Sequence, residues 1–390
     1  MNAASTIHLD VDVRKKINEF SLNINFQAGK GCLGLLGPSG CGKSMTLKSI
    51  AGIGKPDEGR IAVCNALAQS GNQNGSTRVL FDSSGKINLR PQIRRVGYLF
   101  QNYALFPNMT IEQNIMTGLG GGWNHAFWQK KGALTPEARK RRVREMIEWF
   151  RLEGLEKRYP GQLSGGQQQR AALARSLAYE PDILLLDEPF SAMDTYLREG
   201  LRLELARVLK EYDGIAVMVT HDRDEAYQLC DHLLLMSGGS VLAFGETREI
   251  FQNPRTSQAA RLTGCKNISR IERLGKYRVK ALDWQGLELV TAQPVDDTIT
   301  SVGIRAHDFE PLSDSAANAW IAGENRESAN LIPVSSPSVS EMPFEWYITL
   351  DNGLWWKTEK DIHTHSAAGV VPGWLRIDPS AILLLTGSTE

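Results

Sequence analysis

The chain has 390 residues, which at roughly 150 per domain predicts two or three domains, and its 42% hydrophobic and 23% charged content excludes a chain disordered or fibrous throughout. Lys+Arg and Asp+Glu both total 44, leaving no bulk field for gripping nucleic acid or anionic lipid. No apolar run approaches the roughly 18 residues of a spanning helix. Met1–Leu9 lacks the basic start and apolar stretch of a secretory signal, which predicts a cytoplasmic protein. The five cysteines (Cys32, Cys41, Cys64, Cys230, Cys265) are scattered and free of CxxC spacing, which fits reduced thiols rather than a disulfide framework or a zinc site.

Ile7, Leu9, Val11 and Val13, then Leu22, Ile24 and Phe26, alternate with polar residues and predict an antiparallel edge sheet. An apolar strand around Cys32–Leu36 then runs through glycine-rich sequence into a helical stretch, Ser44–Ala51, closed by Gly52. Asn65–Arg78, rich in Gly, Ser, Asn and Gln, reads as a loop insertion. Over Pro136–Leu155, Val143, Met146, Ile147 and Phe150 form one stripe of an amphipathic helix, and Lys140-Arg141-Arg142 reads as its solvated face. The apolar runs Ile183–Leu186, Ile215–Val219 and Leu233–Met236, separated by helical patterns, predict a largely parallel, helix-flanked sheet. From about Thr263, short alternating segments (Tyr277–Ala281, Phe344–Leu350) and the turn Asp351-Asn352-Gly353 announce a second, β-rich domain. Ser313–Met342 is the stretch expected to hold least regular structure.

Gly37-Pro38-Ser39-Gly40-Cys41-Gly42-Lys43-Ser44 fits G-x-x-x-x-G-K-[ST] directly after a strand and before a helix. Its glycines let backbone N–H groups curl around phosphate oxygens, and the helix N-terminus adds a favourable dipole. Lys43 brings a point charge to the β and γ phosphates, and the Ser44 hydroxyl is placed for Mg²⁺. Cys41 is read as a small loop filler whose alkylation obstructs nucleotide. Ile183–Leu186 ends in Asp187 and Glu188 at a strand carboxyl end: Asp187 is expected on Mg²⁺, and Glu188 as the group polarising the attacking water. Ser164 heads a second glycine turn at a helix start, Leu163-Ser164-Gly165-Gly166-Gln167, another anion-binding end. One phosphate chain does not need two such ends from one subunit, which points to a nucleotide held by another copy.

With LSGGQ between the two phosphate-site motifs, the sequence resembles the ATP-binding cassette (ABC) family across approximately residues 7–250. The resemblance implies an α/β P-loop NTPase cassette at 1–245, with a helical subdomain at about 102–175, a linker helix at 246–263 and a β-rich, regulatory TOBE-like domain at 264–390. It assigns Gln101 to a Q-loop that touches Mg²⁺ and water, Asp194 in Ser191-Ala192-Met193-Asp194 to communication across a dimer, and His221 to contact with the γ-phosphate. It also implies a head-to-tail homodimer, with ATP and Mg²⁺ between Lys43, Ser44, Asp187, Glu188 and His221 of one copy and Ser164, Gly165, Gly166 and Gln167 of the other. Where the family stacks adenine on an aromatic residue, this chain reads Val13-Arg14-Lys15-Lys16-Ile17, with Phe20 the nearest aromatic and Arg14 an alternative.

A cassette followed by a β-rich tail looks like the ATPase of bacterial importers for small solutes. The resemblance places it peripherally on the cytoplasmic face of the membrane, against transmembrane permease subunits served by an extracytoplasmic binding protein, with no nucleic-acid partner. Tyr103, Leu105, Phe106 and Pro107 after the Q-loop divide between a docking surface and subdomain core. Val96–Asn114, Gly264–Asn267 and Val302–Asp308 look most like molybdate or sulfate-type importer ATPases, with molybdate favoured and sulfate, polyamine, iron and sugar as alternatives. The tail is a candidate oxyanion-binding brake. A soluble ABC ATPase of chromosome maintenance or translation is the different-class alternative; the short interval from Lys43 to Asp187 leaves no room for its coiled-coil arms. Glu188 and His221 count against a module that holds ATP without turnover.

Overall fold

The computed structural model describes residues 6–66, 76–119, 134–191, 195–322, 330–360 and 371–387. The chain divides into two compact units, Met1–Thr247 and Arg248–Glu390.

The first unit is built on one sheet of eleven strands: β1 (Thr6–Ile17), β2 (Phe20–Ala28), β3 (Gly31–Leu36), β4 (Glu58–Ala66), β5 (Ser76–Asp82), β6 (Ile87–Asn88), β7 (Val96–Leu99), β8 (Ile183–Asp187), β9 (Ile215–Thr220), β10 (His232–Ser237) and β11 (Ser240–Glu246). They lie in the order β6-β5-β4-β1-β2-β11-β10-β3-β9-β8-β7. The run β10-β3-β9-β8-β7 is parallel throughout. β1 pairs antiparallel with both β2 and β4, forming the expected edge region. Successive residues of a strand face opposite ways, so Ile183 and Leu185 enter one core with Leu33, Leu35, Leu47 and Ile50. Leu184 and Leu186 enter the other, with Ile115, Met146, Ile147, Ala171 and Leu173 from the helices Ile111–Gly118, Pro136–Trp149 and Gly165–Leu177. Every residue of β8 and β9 is buried, the pattern of strands covered on both faces.

The presumed insertion is shorter than its composition suggests. Cys64 and Asn65 pair with Thr77 and Ser76, because ladder hydrogen bonds outweigh the poor strand propensity of polar residues; residues 67–75 lie outside the described residues. In the basic run of Pro136–Trp149, Lys140 and Arg141 lie on the expected solvated face, whereas Arg142 is half-buried, donating to the Ala178 carbonyl and pairing with Glu145 and Glu180. α1 (Lys43–Ala51), the helix behind the glycine-rich loop, ends on a fully buried cation. Arg94 donates to the carbonyls of Ser49, Ile50 and Leu89 and to Asn88 Oδ1, satisfying helix-end acceptors and complementing the negative end of the dipole. Burial alone pulls its pKa down to about 10, so it stays charged at neutral pH.

The second unit holds a five-stranded and two three-stranded antiparallel sheets around a core including Trp284, Ile304, Trp346, Ile348, Trp356 and Leu375. The turn at Asp351–Gly353 joins Glu345–Thr349 to Trp355–Glu359, with Gly353 at φ +86°. The expectation for Ser313–Met342 is corrected: it contains a helix, Asp314–Ala322, and the strands Asn330–Pro333 and Ser338–Glu341. Four alanines give that helix its propensity, and the Ser313 hydroxyl accepts the Ala316 N–H at its start.

Candidate active site

The glycine-rich turn leaves β3 and enters α1 through two positions that exclude any side chain. A Cβ on Gly37 would lie 2.3 Å from the Met236 carbonyl of β10; one on Gly42, at φ +101°, would lie 2.5 Å from Leu22 Cδ1. Lys43 is buried, and its Nζ donates to the Gly37 and Pro38 carbonyls at 2.7 and 2.9 Å, which holds the ammonium inside its own loop. Pro38, Ser39 and Gly40 form an exposed rim. Cys41 points inward, Sγ 4.0 Å from Lys43 Nζ, and burial raises its thiol pKa. It is the filler expected, but too enclosed for an alkylating reagent to reach unless the loop opens.

Parallel pairing of β7, β8 and β9 brings the polar side chains together toward the carboxyl ends of these strands. Ser44 Oγ donates to Asp187 Oδ1 at 2.7 Å. The second carboxylate oxygen accepts a 2.8 Å bond from the Tyr98 hydroxyl, a partner the motif reading missed. Burial, then the Asp187 charge, pushes the Tyr98 pKa far up, so the phenol stays a donor. Ser44 and Asp187 together offer hard oxygen ligands suited to Mg²⁺.

Glu188 follows in the left-handed region at φ +47°, its N–H donating to the Val219 carbonyl. The strained turn aims its carboxylate between two of the residues singled out in the sequence: Gln101 Nε2 is 3.5 Å from Oε2, and His221 Nδ1 is 3.5 Å from Oε1. His221 is well exposed, while its neighbours are tied down. Thr220 Oγ1 donates to buried Glu225 at 2.6 Å, and Asp222 caps the helix Arg223–Leu229 and pairs with Arg202. Burial raises the Glu225 pKa, against the lowering effect of the Thr220 bond.

A model of the ABC transporter family matches residues 20–191. The sulfate/thiosulfate import ATP-binding protein of Synechocystis sp. is 37% identical over 316 residues, 80% of this chain and 78% of that protein. The chain belongs to the ABC transporter ATPase family. The sulfate/thiosulfate import ATP-binding protein of Cucumis sativus is 33% identical over 354 residues, covering 89% of this chain and 91% of its own. The spermidine/putrescine import ATP-binding protein of Acidothermus cellulolyticus is 42% identical over 234 residues, 60% of this chain and 54% of its own. These names do not support the molybdate favoured from sequence.

In this ABC ATPase the Ser164 hydroxyl accepts the Gln167 N–H, and the Gln167 side chain accepts the Ser164 N–H, a closed capping box at the start of Gly165–Leu177. None of the hydrogen bonds described for Ser164 and Gln167 reaches the Lys43–Asp187 cluster. Two residues farther on, buried Gln169 donates to the Pro189 carbonyl at 3.2 Å, joining the signature helix to the turn after Glu188. Asp194 lies outside the described residues. The Q-loop cluster splits: Tyr103 is buried and Leu105 packs on the core, whereas Phe106 and Pro107 are exposed, with the Arg175 guanidinium 5.6 Å from the Phe106 ring centre. Phe20, not Arg14, stands beside the phosphate loop: its Cζ is 3.2 Å from the Cβ position of Gly42, while exposed Arg14 faces Glu58.

Proposed function

We propose that this ABC ATPase powers the import of a small tetrahedral oxyanion of the sulfate type. The support is the reach of the likeness: two sulfate/thiosulfate relatives align over 316 and 354 residues, more than the first unit contains, whereas the spermidine/putrescine relative aligns over 234. In this reading Gly37–Gly42 cradle the phosphates, Lys43 neutralises the β and γ groups, Glu188 polarises the attacking water, and His221 meets the γ-phosphate. Ser44, Asp187 and Gln101 would hold Mg²⁺, which neutralises phosphate charge when bound. Phe20 is the aromatic surface offered to adenine.

The observation carrying the dimer is Ser164–Gln167, a helix start whose hydrogen bonds among the described residues do not reach the glycine-rich loop of its own chain. A second copy supplies it, head to tail, so each ATP lies between one phosphate loop and the other chain's Ser164, Gly165 and Gly166. Hydrolysis removes the γ-phosphate bridge and opens the pair, and permease subunits at the cytoplasmic membrane face receive that motion near Phe106 and Pro107. The β-rich unit is assigned a regulatory role.

The test is phosphate release by the full chain with its permease in lipid, stimulated by binding protein that is empty or loaded with sulfate, thiosulfate, molybdate or spermidine. Stimulation by sulfate or thiosulfate supports the reading. Stimulation confined to molybdate or spermidine replaces the cargo, and equal rates throughout remove the cargo assignment.

A further inference from the structure

On the outer face of the antiparallel strands, away from the phosphate loop's motifs, three different ligand types meet. His8 and Cys64 are directly opposed across β1 and β4, and Asp10 lies two residues from His8 on the same face. Asp10 Oδ2 is 3.4 Å from Cys64 Sγ and 3.7 Å from His8 Nε2, and all three ligand atoms lie within 4.8 Å of one another. The neighbours hold this arrangement. Gln27, opposite Asp10 on β2, donates to Oδ1 at 2.6 Å, and Thr77, opposite Cys64 on β5, donates to Sγ at 3.6 Å.

We propose that His8, Asp10 and Cys64 form a site for a borderline-soft divalent cation of the Zn²⁺ class, with a fourth position left to solvent. Tetrahedral Zn²⁺, with bonds of about 2.3 Å to sulfur and about 2.0 Å to nitrogen and oxygen, separates S from O by about 3.5 Å and N from O by about 3.3 Å. The two distances to Asp10, 3.4 and 3.7 Å, lie near these values, and His8 and Cys64 approach within 4.8 Å, so modest side-chain adjustment would seat the ion. Thiolate with imidazole selects against the Mg²⁺ of the nucleotide site, which prefers oxygen. Gln27 acts as the outer partner that orients the carboxylate. Ligation replaces the thiol proton, which leaves to the buffer, and ties β1 to β4. The short ligand spacings that betray zinc in sequence are missing because β pairing, not sequence proximity, assembles the site.

The test is a Co²⁺ titration of the full chain without nucleotide. Expected are visible bands of a tetrahedral site and a near-ultraviolet thiolate-to-cobalt band that saturate at one equivalent and are displaced by Zn²⁺. Cys64→Ser removes the thiolate band, and Gln27→Ala weakens binding about 10-fold. Zn²⁺ also slows thiol-reagent labelling of Cys64, the one cysteine of five that is not buried, and raises the melting midpoint of wild type but not of Cys64→Ser. A thiolate band that is absent, fails to saturate, or persists unchanged in folded Cys64→Ser overturns the proposal.

Discussion

Tyr98→Phe removes one oxygen atom from the buried side of the proposed nucleotide site and leaves the ring in place. Asp187 is 7% exposed, so its Oδ2 has little water to replace the 2.8 Å phenol bond. A hydrogen bond to a charged group contributes about 1.5–3 kcal/mol, and an orphaned buried acceptor costs about 1–3 kcal/mol. If Asp187 holds Mg²⁺, loss of this outer partner weakens metal binding by about 10–100-fold, or about 1.4–2.8 kcal/mol. The assay is the Mg²⁺ dependence of phosphate release at saturating ATP, paired with Mn²⁺ binding followed by electron paramagnetic resonance. The expected result is a higher half-saturating Mg²⁺ with the maximal rate largely recovered in excess metal. An unchanged half-saturating Mg²⁺ and unchanged Mn²⁺ affinity, whatever happens to the melting midpoint, would refute the positioning argument.

Gly42→Ala meets Leu22 and an unfavourable φ together, so it should destabilise the first unit by about 1–3 kcal/mol and abolish binding of a fluorescent ATP analogue. Arg94→Met strands the Ser49, Ile50 and Leu89 carbonyls and should cost about 3–5 kcal/mol, read from the urea midpoint of the first unit. Glu225 releases its proton at higher pH in the folded than in the unfolded chain, so the folded chain binds more protons in that window. Its contribution is therefore fully present below the unfolded pKa and is lost as pH rises through the folded one. Glu225→Gln should flatten that decline in denaturation midpoint from the acid range upward; an identical pH profile would count against it.

The phosphate loop was legible because contiguous residues build it: spacing alone sets where Gly37, Gly42, Lys43 and Ser44 fall. The same holds for Asp187 and Glu188 at the end of an apolar strand. Tyr98 was illegible because its partner stands on another strand, brought alongside only when β7 pairs β8 with Tyr98 opposite Leu185. Arg94 gave no periodic signal either, since it satisfies a helix end distant in sequence. In Ser313–Met342, composition suggested irregularity, but burial of Ile332 and pairing with Trp374–Ile377 prevail. Phe20 reaches the loop because β2 is joined to β3 through β11 and β10, a strand order that a count from the motif could not supply.

The central claim, that two copies close head to tail on ATP, is tested most directly by sedimentation of Glu188→Gln. With the carboxylate proposed to polarise water gone, the chain should be dimeric in Mg²⁺ and ATP, monomeric in ADP, and monomeric in both once Ser164→Arg is added. A dimer that ignores nucleotide, or survives Ser164→Arg unchanged, would contradict the account.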